Sequence, residues 1–93
     1  MAEMLQEYTT KVRDELGKEY RARVFAEPRA DATWTTWLEF IPAGGGIPFR
    51  TDPESSQPRR EDALYWASGL EPVYLDGAFQ RARRLVETPG SRL

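Results

Sequence analysis

The chain has 93 residues, 40% hydrophobic and 12% aromatic, with 13 Lys and Arg against 15 Asp and Glu, a formal net charge of −2. That length and composition point to one small domain with one core and exclude general disorder. There is no cysteine and no histidine, which excludes disulfides, thiol nucleophiles, Cys or His metal sites and histidine acid–base chemistry.

At the N-terminus, Met1, Met4, Leu5, Tyr8, Val12 and Leu16 fall on one side of a wheel turning about 100° per residue. Gln6, Glu7, Thr10, Arg13 and Asp14 fall opposite. This spacing predicts an amphipathic helix over residues 1–16, stopped by Gly17. The next run, "EYRARVFAEP", alternates: Tyr20, Ala22, Val24 and Ala26 share one face, and Arg21, Arg23, Phe25 and Glu27 the other. After the turn "PRADA", "TWTTWLEFI" places Trp34, Thr36, Leu38 and Phe40 on one face and Thr35, Trp37, Glu39 and Ile41 on the other. Two such runs across a short turn predict a β-hairpin.

Pro42 ends the second strand and Gly44 to Gly46 form a flexible connection. "IPFRT" is a candidate short third strand, which Pro48 confines to an edge or a bulge. "DPESSQP" is a polar turn, after which Pro58 suits the first position of a helix and Glu61 and Asp62 favour its positive end. Ala63, Leu64, Trp66, Ala67 and Leu70 form the apolar side of that helix. Gly69 is a C-terminal cap, Glu71 precedes a proline and so disfavours helical backbone, and Pro72 starts afresh. From there Tyr74, Leu75, Ala78, Phe79, Ala82, Leu85 and Val86 form one apolar side. Two helices broken near Gly69–Glu71 are expected, the alternative being one helix kinked at Pro72. The expected fold is α+β: an N-terminal helix, a three-stranded antiparallel sheet and two C-terminal helices, with residues 1–87 a single domain and 88–93 a flexible tail.

The apolar runs fall far short of the roughly 20 residues of a membrane span, and the N-terminus lacks the apolar centre of a secretory signal, so a cytoplasmic location is expected. The sequence pI near 5.2 gives no global basic field for nucleic acid. Gly44–Gly46 lacks the lysine and spacing of a phosphate loop. Asp52, Glu54, Glu61 and Asp62 are interleaved with Arg50, Arg59 and Arg60, which fits helix capping and solvated charge better than catalysis or a hard cation. No catalytic residue, metal ligand or cofactor is assigned. Tyr65 and Val73 stand outside the apolar stripes; Val73 is expected to pack at the helix junction and Tyr65 over a neighbouring loop, contact with a partner being the alternative.

The residues assigned to partner binding are Arg21, Arg23, Phe25 and Trp37, which share the sheet face opposite the expected core. Arginine beside aromatic rings suits a protein interface, and also base stacking. Large side chains on both sheet faces, in a chain with little helix to cover them, predict a homodimer with Phe25 and Trp37, or the N-terminal helix, near the contact. A non-catalytic, self-associating interaction or regulatory module is the leading function. An RNA- or DNA-binding domain using Arg21, Arg23, Phe25 and Trp37, or the group Arg81, Arg83 and Arg84, is the alternative.

From Arg23 to Ala67, "RVFAEP…WTTWLEFIPAGGGIPFRTD…QPRREDALYWA" resembles the HicB-type antitoxin domain in outline: a hairpin, a proline–glycine segment, a short third strand, a polar turn, and a helix opening with acids and Ala-Leu. That resemblance implies a toxin-binding role. The expected order of helix, three strands and helix also resembles the double-stranded-RNA-binding domain, with Arg59 and Arg60 of "QPRRED" where that family carries lysines.

Overall fold

The computed structural model describes residues 1–87 of the chain; the expected tail, 88–93, lies outside them. Five strands precede two helices: β1 (Glu3–Arg13), β2 (Glu19–Pro28), β3 (Trp34–Pro42), β4 (Phe49–Arg50), β5 (Ser55–Gln57), α1 (Arg60–Ser68) and α2 (Pro72–Glu87). The sheet is antiparallel in the order β1-β2-β3-β4, and β5 pairs with β3 beyond the end of β4.

The N-terminal helix expected over residues 1–16 is therefore corrected to β1, and the three-stranded sheet to five strands. The reason lies in the pairing. β1 and β2 slip register twice, between Met4 and Gln6 and between Glu7 and Lys11. In the second slip Tyr8, Thr9 and Thr10 stand against Ala22 alone, since Glu7 pairs with Arg23 and Lys11 with Arg21. Each inserted residue shifts which side chains face the core. The residues that pack inward are Leu5, Tyr8 and Val12, spaced by three and then four, which is helical spacing produced by a bulged strand. The β-favouring run Tyr8-Thr9-Thr10 was the sign of strand.

β5 lies within the segment read as a polar turn. Ser-Ser-Gln has no apolar alternation; it is held by β3 through backbone pairing and by a 2.6 Å hydroxyl contact between Ser55 Oγ and Thr36 Oγ1. Pro58 lies outside α1: Arg59, with φ −139°, occupies the position before the first helical residue. The break between the helices is as expected. Ser68 ends α1, the Gly69 N–H donates to the Trp66 carbonyl, and Glu71 accepts from Tyr74 and Leu75 as α2 begins at Pro72. Gly69 is not a left-handed cap, however; its φ is −95° and an added Cβ would meet nothing closer than 3.7 Å.

Both helices cover one sheet face. Tyr20, Ala22, Val24, Leu38 and Phe40 of the sheet form a core with Ala67 of α1 and Leu75, Ala78, Phe79 and Ala82 of α2. Phe79 is its centre, with ring centroids 4.7 Å from Tyr20, 5.3 Å from Phe40 and 5.9 Å from Phe49. Leu85 and Val86, expected on the apolar side of α2, are instead exposed. The shortest extent of the molecule is 22 Å, the thickness of a sheet layer and a helix layer at about 10 Å each. Among the described residues no helix is long and apolar enough to cross a membrane.

Candidate interaction face

The sheet face away from the helices is organised in rows that cross the strands. Met4 pairs with Phe25 and Phe25 with Trp37, making an apolar row. On the same face, Glu7 pairs with Arg23, Arg23 with Glu39 and Glu39 with Arg50, so charge alternates −, +, −, + over β1 to β4. A third row runs Lys11, Arg21, Ile41. All four residues assigned to partner binding from sequence, Arg21, Arg23, Phe25 and Trp37, thus lie together on this face. Met4, Glu7, Lys11, Glu39, Ile41 and Arg50 share it and were not assigned to partner binding. The bulges hid the register of β1, and the two-residue length of β4 hid the partner of Glu39.

Trp37 is only 4% exposed although no helix covers it. Phe25 stacks beside it, centroids 6.0 Å apart and planes 13° from parallel. The Arg50 guanidinium lies 4.3 Å from its ring centroid, and its Nε1–H donates to Glu39 Oε2 at 3.2 Å. Trp37 is thus buried by its cross-strand neighbours. Such a ring offers no free face on which a nucleic-acid base could stack.

Glu7 joins the rows. It accepts from Arg21 Nη1 at 2.8 Å and from Arg23 Nε at 2.9 Å, and these two hydrogen-bonded guanidiniums hold its carboxyl below the usual carboxylate range against a smaller effect of burial. A depression of about 280 Å³ beside the second bulge is lined by Glu7, Tyr8, Thr9, Lys11 and Arg21.

The acidic group divides. Asp62 pairs with Arg59, one turn away. Glu54, whose side chain is 9% exposed, accepts from the Tyr74 hydroxyl at 2.6 Å and from Arg81 Nε at 3.2 Å, so it fastens the approach to β5 onto α2. Burial pushes its carboxyl up, but hydrogen bonds from Arg81 and Tyr74 outweigh that and leave it lowered. Among the described residues no group of three carboxylates gathers to hold a metal. Tyr65, expected to cover a neighbouring loop, and Val73, expected to pack at the helix junction, are instead 83% and 77% exposed. Of the arginine group on α2, Arg81 binds Glu54 and Arg83 binds Glu15 Oε1 at 2.9 Å.

No family model matches this chain, and neither a curated protein nor a solved structure shows significant similarity to it.

Proposed function

We propose that this chain is a small, non-catalytic protein-interaction module that self-associates through the open face of its sheet. The observation that carries the reading is the two-layer build: helices cover one sheet face, while the other presents half-buried Phe25 and Ile41, exposed Met4, and Arg21, Arg23 and Arg50. Arginine, methionine and aromatic residues are the types enriched at protein interfaces. Acids alternate with the arginines, which favours a protein surface of mixed charge over a uniformly anionic polymer.

Light scattering across a concentration series tests this. The molar mass is expected to rise from 10.7 kDa toward twice that value as concentration passes through the micromolar range. A mass that stays at one chain up to about millimolar concentration, beyond weak-interface affinity, overturns the reading.

A further inference from the structure

Resting on that reading, we propose that the partner is a second copy docked face to face, with the two-fold axis in the interface and parallel to the strands, so that Arg23 of each chain meets Glu39 of the other. The proposal follows from the order of charges in one row. Glu7, Arg23, Glu39 and Arg50 occupy successive strands as −, +, −, +. A two-fold axis along the strands reverses that order in the facing copy, to +, −, +, −. Every position then meets its opposite: Glu7 faces Arg50, and Arg23 faces Glu39.

The same operation keeps each row at its own height along the axis. The row Met4, Phe25, Trp37 therefore meets itself; exposed Met4 and half-buried Phe25 supply its apolar surface, since Trp37 is sealed beneath Arg50. A two-fold contact requires one patch to be its own complement; the charged row and the apolar row meet that condition, while the third row sets Arg21 against Ile41, over which the arginine's aliphatic stem can lie. An axis perpendicular to the strands reverses the order of the rows and sets the apolar row against charge, which that register disfavours. Within one chain, Glu39 has the Trp37 indole N–H as its hydrogen-bond partner, and Arg50 lies over that ring. Both keep polar atoms for a facing chain.

Size sets the expected strength. Strands of 9 and 10 residues run about 30 Å, and four strands spaced about 4.8 Å apart give a face of roughly 500 Å² in projection. With side-chain relief added to that projection, the buried area reaches at most about the ~800 Å² per partner of standard stable interfaces. A reversible dimer weakened by salt is the expected result.

The test uses two variants of the full chain, Glu39→Arg and Arg23→Glu, each checked for folding by circular dichroism. In the proposed register Glu39→Arg sets Arg against Arg, and Arg23→Glu sets Glu against Glu, twice in each homodimer. Mixing the two restores opposite charges at both places. Each variant alone is expected to weaken self-association at least tenfold, and an equimolar mixture to recover it, as read by sedimentation velocity. A wild-type dimer with variants that still self-associate, or with a mixture that fails to recover, overturns this register and leaves self-association standing. A monomeric wild type overturns both. Should either variant unfold, Glu39→Gln and Arg23→Gln replace them. Each is then expected to weaken the dimer and flatten its salt dependence, and an unchanged salt dependence overturns the register.

Discussion

On the open sheet face Arg50 seals the Trp37 ring, with the guanidinium 4.3 Å from the indole centroid. A partly desolvated contact of this kind contributes about 1–2 kcal/mol. Arg50→Ala is expected to destabilise by about 1 kcal/mol and to speed hydrogen exchange of the Trp37 indole N–H, which Glu39 accepts. Arg50→Lys is expected to recover only part of the protection, because an ammonium lacks the planar surface that stacks. Exchange at that N–H by NMR is the measurement, and equal rates in wild type and Arg50→Ala would show that Arg50 does not seal the ring.

The Glu54 cluster makes acid stability predictable in sign. Its carboxyl is lowered below the ordinary value of 4.5 in the folded chain. The folded state therefore holds that proton less tightly than the unfolded state. The contribution is complete above 4.5 and is lost as pH falls through the folded value. Glu54→Gln is expected to cost about 1–3 kcal/mol at pH 7, because charged hydrogen bonds to Arg81 and Tyr74 are lost. The gap between variant and wild type is expected to narrow below pH 4.5 in urea denaturation series.

Three tyrosines are raised, Tyr20 by burial and the Asp14 charge, and Tyr8 and Tyr74 more strongly. Burial pushes the Tyr8 hydroxyl up to about 12, and it donates to the Ala67 carbonyl at 2.5 Å. Burial, then the hydrogen bond to Glu54 and its charge, push Tyr74 to about 12 as well. Both values are raised above 10.0, so the folded state retains these protons longer than the unfolded chain. The associated stability is full below pH 10 and declines between 10 and about 12. A spectrophotometric titration is expected to show both ionising late, and Tyr8→Phe to remove one late step.

Hairpin turns offer opposite effects at two small residues. Ala32 holds φ +72° between β2 and β3, a conformation that disfavours a Cβ by roughly 1–2 kcal/mol. Ala32→Gly relieves it and adds unfolded-state entropy, for a net gain of about 0.5 kcal/mol, on the order of 2–4 °C in melting temperature. Gly17, at φ +82°, closes the β1–β2 turn, in which the Asp14 carboxylate accepts from the Leu16 and Lys18 amides at 2.9 Å. Gly17→Ala meets no atom within 4 Å, so its expected loss of ~1 kcal/mol is purely conformational. Calorimetric melts of both variants check the signs.

The sequence by itself determined the elements whose side-chain period matches their geometry. The strands at Glu19–Pro28 and Trp34–Pro42 carry no bulge in their pairing, so a period of two assigned their two faces, and with them Arg21, Arg23, Phe25 and Trp37, residue by residue. The helix break was legible too, because Pro72 removes a donor that a continuous helix requires. Tertiary structure decided the rest. In β1 two bulges turned a period of two into spacings of three and four, and pairing with β2, not the spacing, distinguishes that from a helix. β4 and β5 are too short and too polar to carry a period, and exist because the far edge of β3 needs hydrogen-bond partners. The charge row needed all of these registers at once, since a row across strands joins residues that are far apart along the chain.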